Sequence, residues 1–316
     1  MKKFLSMMLA LVMCLSLVPS AFAAETAAAD KPAEVAATED IFARFILDDP
    51  KLISSFKFDD KAAWESNIGY MLKHGLSELD LTIDYTDASY DWQDWTVPSN
   101  AGGKYAYLCH EVGMSNLAPH KCGIQSITLT ICRTEDEWSV TALSKAAEVH
   151  DALWASGKII DTMTQKEKAR VYYDWLIANC EYGEYEYDLS GHEDGYTCMA
   201  GYAAGAWPVF VSGKGVCGNY AMAYNLLLRS EGIDCTDVVS WLGSHEWTAA
   251  TLDGVLYHID ATYGDTTGQP NKYFCMTEEA AWARFGGIEK EQELSKFFDD
   301  MWEGLGFDPS DFGFGW

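Results

Sequence analysis

Apolar residues recur along this chain in two periods. Over residues 58–74, Trp64, Ile68, Met71 and Leu72 fall on one side of a 3.6-residue helix that Gly75 ends. Leu79, Leu81, Ile83 and Tyr85 then alternate with polar residues, the period of a half-buried strand. Ile127, Leu129 and Ile131 repeat that alternation, and residues 105–109 predict a further strand. Residues 87–104, rich in Ser, Asn, Gly, Pro and Trp, read as a loop. The stretch 40–140 is therefore an N-terminal α/β accessory region.

From Thr141 the period is helical. Leu143, Ala146, Ala147, His150, Leu153 and Trp154 share a face that closes near Gly157. Thr164-Gln165-Lys166-Glu167 is a capping box opening a helix that carries Val171, Trp175, Leu176 and Cys180. Residues 181–197 are polar and tyrosine-rich, a loop, and Gly213-Lys214-Gly215 is a second break. A helix follows from Cys217 to Glu231, stopped by Gly232. Three short strands come next, at 236–241, 246–252 and 255–259, the last two joined by an Asp253-Gly254 hairpin turn. Helices, then a helix opening at a cysteine, then an antiparallel sheet make an α+β plan over 141–285. Residues 286–316 hold one amphipathic helix, at 288–303, and a Gly- and Phe-rich tail.

The first 23 residues do not belong to the fold. Lys2 and Lys3, an apolar run over 4–17 and a small-x-small ending at Ala23 form a secretory signal, expected to be cleaved after Ala23. The run is too short for a membrane span. Met13 before Cys14 argues against a lipoprotein. Residues 24–39 read as a flexible linker. Export to the medium or the cell surface is thus expected. The formal net charge of -26 excludes nucleic acid and anionic membrane surfaces as partners and leaves polypeptides, glycans or small molecules. Eight cysteines follow the signal. Cys109 with Cys122 and Cys180 with Cys198 are candidate disulfides, although a chain of 316 residues buries a core without them.

The chemistry concentrates in 213–265. A nucleophilic cysteine must be a thiolate at working pH, and a helix N-terminus favours that form. Cys217 stands there, between Gly215 and Gly218. An imidazole can hold the thiolate as an ion pair, and a carboxylate can orient the imidazole. A hairpin centred on Asp253-Gly254 puts Trp247 opposite Asp260 and His245 opposite Thr262, so Asp260 lies within diagonal reach of His245. His258 as base and Asp265 as orienting acid are the alternatives. Trp207, Ser212 and Lys214 are candidate side-chain donors to an oxyanion, beside the Cys217 amide.

Gly215-Val216-Cys217 followed by Tyr220-Ala221, His245-Glu246-Trp247, and Asp253-Gly254 with Tyr257 and Asp260-Ala261-Thr262-Tyr263 together resemble the transglutaminase-like superfamily, a branch of the papain-like thiol enzymes. The likeness covers about residues 141–285. It implies a secreted bacterial member with a Cys217–His245–Asp260 triad, the cysteine at a helix start packed on a small antiparallel sheet. It also implies acyl transfer on peptide or protein amides, cell-wall peptides included, through a thioester. Hydrolysis, as in a cysteine peptidase or amidase, is the preferred outcome; cross-linking by an amine and a non-catalytic cell-surface binding module are the alternatives. One position departs from the pattern: Glu246 stands where a small residue is common, and strand alternation turns its side chain away from the thiol. No cofactor is expected. Cys109, His110, His120 and Cys122 match no common zinc module. The acidic residues of 181–194 lack the order of a calcium loop and read as solvated. Tyr90, Trp92 and Trp95 are candidate groove aromatics. The oligomeric state is open.

Overall fold

A computed structural model describes residues 40–85, 102–105, 107–116, 123–184 and 202–304. The expectations for residues 1–39, Tyr90, Trp92, Trp95, His120, Cys122, Cys198, most of the 181–194 loop and the tail after 304 lie outside them. After a short helix α1 (Ile41–Arg44), the first half is built on a four-stranded sheet of order β1-β2-β4-β3, from β1 (Ser55–Lys57), β2 (Glu78–Asp84), β3 (Cys109–Ser115) and β4 (Ile124–Arg133). β1 runs parallel to β2, and the other pairs are antiparallel. Leu81 and Ile127 are cross-strand partners, as are Leu79 and Leu129. The alternation read in the sequence is the sheet's inner face: Leu81, Ile83, Ile127, Leu129 and Ile131 are all buried. Helix α2 (Lys61–His74) supplies Trp64, Ile68, Met71 and Leu72 to the same core. Asp60 accepts from the Ala63 amide at its start, and Gly75, at φ 64°, ends it in the left-handed region.

Two boundaries depart from expectation. The strand expected at 105–109 is a 3-10 turn over Gly102–Tyr105, and β3 begins only at Cys109. Tyr105 is pinned elsewhere: its ring lies where a Cβ on Gly69 would sit, and its hydroxyl donates to Asp48 at 3.0 Å. Helix α3 (Glu137–Ala155) starts four residues before Thr141, because the Asp136 carboxylate caps it by accepting from Ser139 N at 2.8 Å. Such a cap is worth about 1 kcal/mol.

Helix α4 (Gln165–Asn179) opens with the expected capping box, Glu167 N to Thr164 Oγ1 at 3.2 Å and Thr164 N to Glu167 Oε2 at 2.9 Å. The two-residue strands β5 (Glu181–Tyr182) and β6 (Lys214–Gly215) pair in parallel, and helix α5 (Trp207–Ser212) precedes β6. Helix α6 (Cys217–Ser230) is central: Tyr220, Tyr224 and Leu226 to Leu228 are all buried. Each fully buried leucine contributes about 2 kcal/mol. Beside α6 lies the antiparallel sheet of β7 (Cys235–Ser240), β8 (His245–Leu252) and β9 (Val255–Ile259). Asp253 and Gly254 both take positive φ in the hairpin turn, and the pair Thr248–Ile259 sets the register expected. Helices α7 (Ala261–Thr266), α8 (Glu278–Ala283) and α9 (Ile288–Gly304) follow. The fold is α+β. One core cluster runs from Phe42 to Ala261, and a second, of Trp247, Tyr273, Met276, Ala281 and Trp282, backs the β8–β9 sheet. Among the described residues, no helix is long and apolar enough to cross a membrane.

Candidate active site

Cys217 is the first residue of α6. The start of that helix is held by Asn219, whose Oδ1 accepts from Val216 N at 3.0 Å and whose Nδ2 donates to Gly205 O at 2.7 Å. The thiol is half-buried. Burial pushes its pKa up, but the hydrogen bond and charge of His245 and the backbone N–H groups of Glu246 and Gly218 outweigh that and hold it below the ordinary thiol value. His245 opens β8 and is buried. Its Nε2 donates to Asp260 Oδ2 at 2.8 Å, which leaves Nδ1 for the sulfur. Burial opposes the imidazolium, yet Asp260 and Cys217 raise its pKa to about 9. The ring stacks on Tyr263 with centroids 4.5 Å apart and planes 12° from parallel, which fixes its tilt.

Asp260 is fully buried. It reaches His245 by a route the sequence did not suggest. β9 ends at Ile259, so Thr262 lies in α7 rather than opposite His245 on a strand, and Asp260 is the N-cap of that helix. Its Oδ1 accepts from Tyr263 N at 2.8 Å while Oδ2 faces the imidazole. Burial raises the Asp260 pKa, but His245, the Tyr263 amide and Arg284 bring it below the usual carboxylate range. Arg284, which sequence reasoning missed, donates through Nη1 to Oδ2 at 2.5 Å. Its guanidinium lies 5.2 Å from the Trp247 ring centroid and 5.1 Å from that of Tyr263. The segment after α8 carries no motif; only an arginine amid aromatics signalled it.

The alternatives lie elsewhere. His258 accepts from Trp247 Nε1 at 2.9 Å on the inner side of the hairpin, where burial pushes its pKa down. Asp265 accepts from Tyr220 Oη at 2.7 Å. Ser212 donates to its own helix at Pro208 O, Trp207 packs on Trp138, and the Lys214 side chain lies along Gly183. Cys109 is buried with its thiol on Tyr105 O. Among the described residues, no three His, Cys, Asp or Glu side chains could share a metal ion, and the six described cysteines are free thiols.

Glu246 is a correction. Thr248 bonds Asn225 of α6 at 2.8 Å, so the even-numbered side of β8 faces α6. Glu246 shares that side, and a Cβ on Gly218, the neighbour of Cys217, would come 2.9 Å from its Oε2. The alternation was read properly, but α6 packs on the face expected to point away from the thiol.

Residues 155–278 match the family model described as the transglutaminase-like superfamily. This segment is similar to that superfamily. The matched segment takes in Cys217, His245 and Asp260, whereas Arg284 lies beyond it. No curated protein matches the sequence. Among solved structures, "Crystal structure of a TGase" is similar at 14% identity over 60% of this chain and 52% of that one, with a TM-score of 0.26. A "Putative Cysteine Protease from Cytophaga hutchinsonii" is similar at 15% identity over 48% of this chain and 62% of that one, with a TM-score of 0.25. The chain spans about half to three fifths of the length of these two structures.

Proposed function

We propose that the protein is a cysteine-dependent hydrolase of peptide or protein amides, with Cys217 as nucleophile, His245 as proton carrier and Asp260 as orienting acid. The observation that carries this reading is the unbroken chain from the lowered Cys217 thiol through the raised His245 imidazole to buried Asp260. The thiolate adds to the amide carbonyl, and the oxyanion forms next to the Cys217 amide at the positive end of α6. His245 gives its proton to the departing amine as the C–N bond breaks, leaving a thioester. Water, deprotonated by His245, then attacks the thioester, which releases the carboxylic acid and returns the pair. None of these steps calls on a metal or an organic cofactor.

The test is a casein or peptide-library digestion beside an amine-incorporation assay, each with Cys217→Ala. New termini that vanish in the variant support hydrolysis. Incorporation of a labelled amine without new termini would assign a cross-linking transferase instead. Silence in both assays would reduce the protein to a binding module. Export follows from the sequence signal alone; Edman sequencing of protein from the medium should begin at Ala24, and a retained Met1 would overturn it.

A further inference from the structure

We infer that the Glu246 carboxylate is the specificity element of this site, selecting amides flanked by a lysine or arginine of the peptide substrate. The inference rests on Cys217 being the nucleophile.

Among the described residues, the other ionisable groups named around the sulfur each have a hydrogen-bond or ion-pair partner, and Glu246 does not. The Cys217 thiolate is matched by the His245 imidazolium, and Asp260 by Arg284. Asp265 accepts from Tyr220. Behind Glu246, Asp237 accepts from Tyr202 and Asn225 and feels the Arg229 guanidinium. Glu246 itself is half-buried beside Gly218, and among the described residues no hydrogen bond or ion pair engages its carboxylate. It can come this close to the nucleophile helix because Gly218 has no Cβ. An uncommitted negative charge at a half-desolvated position is costly, and a cation placed beside it removes that cost.

The titration agrees. Burial and the charge of Asp237 raise the Glu246 pKa to about 7, with His245 opposing. The group is therefore charged at pH 8, where the test is made. The net charge of -26 adds a long-range field that draws cationic peptides to the surface.

The test uses the sulfur as its own reporter. Three methanethiosulfonates, carrying an ammonium, a methyl or a sulfonate group, react with the native protein at pH 8; the thiolate displaces methanesulfinate and forms a mixed disulfide. Peptide mass spectrometry gives the rates at Cys217 and at exposed Cys132, which lies on the other large sheet, away from β8. Rates are scaled to those of 2-mercaptoethanol. At Cys217 the ammonium-to-methyl ratio should exceed that at Cys132 by about fivefold, the effect of one charge a few ångströms away in partly wet surroundings. Glu246→Gln should bring the two ratios together. Gly218→Ala, whose methyl would displace the carboxylate, should lower the ratio in the same direction. Equal ratios in the native protein, or a preference that survives Glu246→Gln, would overturn the inference.

Failure of the enzyme reading shows separately, as slow reaction of Cys217 with the uncharged reagent at pH 6. A peptide library then assigns the cation. Cleavages next to lysine or arginine that lose this bias in Glu246→Gln support the inference, and cleavages without such bias defeat it.

Discussion

Arg284 and His245 share one oxygen of Asp260: both donate to Oδ2, at 2.5 Å and 2.8 Å. The arginine therefore competes with the imidazolium for the same lone pairs and adds a like charge nearby. Arg284→Met removes both effects. The His245 pKa should climb further above its native value of about 9. NMR titration of the imidazole protons checks this; an unchanged or lowered value would show that Arg284 only fills space. Because Asp260 is buried and keeps His245 as a partner, the variant should also lose about 2 kcal/mol of stability.

Iodoacetamide should separate the cysteines by their surroundings. Burial pushes Cys109, Cys180 and Cys275 up to about 11 and Cys235 up to about 12. Cys217 is shifted down. At pH 6 it should label far faster than these four, and His245→Ala should slow it by about tenfold or more, since a lost charge-assisted hydrogen bond is worth about 1.5–3 kcal/mol. Equal labelling of all five would sink the ion-pair reading.

The C-terminal end of α6 is anchored by Glu231. Its carboxylate accepts from Trp154 and Tyr172 at 2.9 Å and from Lys168 at 2.5 Å, with His150 3.4 Å away. Burial raises its pKa, but His150, Lys168, Trp154 and Tyr172 bring it down to about 2. A carboxylate depressed on folding stabilises above its unfolded value near 4.5, and that contribution fades as pH falls towards about 2. His150 has the opposite sign: raised on folding, it stabilises below 6.5 and ceases to do so as pH rises through its higher folded value. Urea melts of Glu231→Gln should show a deficit of about 2 kcal/mol at pH 5 to 6 that shrinks at pH 3. A deficit independent of pH would mean that shape, not charge, matters here.

Glu291 works on His245 from a distance. From α9 its buried carboxylate accepts from Ser240 Oγ at 3.0 Å and from Trp241 N at 2.5 Å, clamping the turn that ends at Ser244 with φ 45°. Glu291→Ala leaves those donors unmet and should cost about 2–3 kcal/mol, or about 5 °C in Tm. Cys217 labelling at pH 6 should slow as well, because His245 follows the turn directly. Glu291→Gln, which still offers an acceptor, should recover much of both.

The sequence made legible whatever depends on periodicity or on short-range turn chemistry. Asp253-Gly254 set the hairpin register, Thr164 and Glu167 set a helix start, and the residues around Cys217, His245 and Asp260 marked the three members the structure brings together. It hid what depends on packing between distant segments. Arg284 follows a short helix that no sequence pattern marked, and Glu291 sits in a helix whose pattern says only "amphipathic". Glu246 was misread because alternation assigns a face but cannot say which face a helix will cover. Tyr105 was read as strand because its tie to Asp48 crosses 57 residues of chain.

Helix α6, with Cys217 at one end, is roofed at the other by residues of the N-terminal region. The Arg229 guanidinium lies 4.3 Å from the Tyr107 ring centroid, and a Cβ on Gly232 would meet Leu47 at 3.2 Å. The hydrophobic core does not pause where the family resemblance begins. In this protein the core closes only with the help of the residues before it. A chain that lost residues 40–135 would have to re-cover that end of α6 before it could keep the thiol in place.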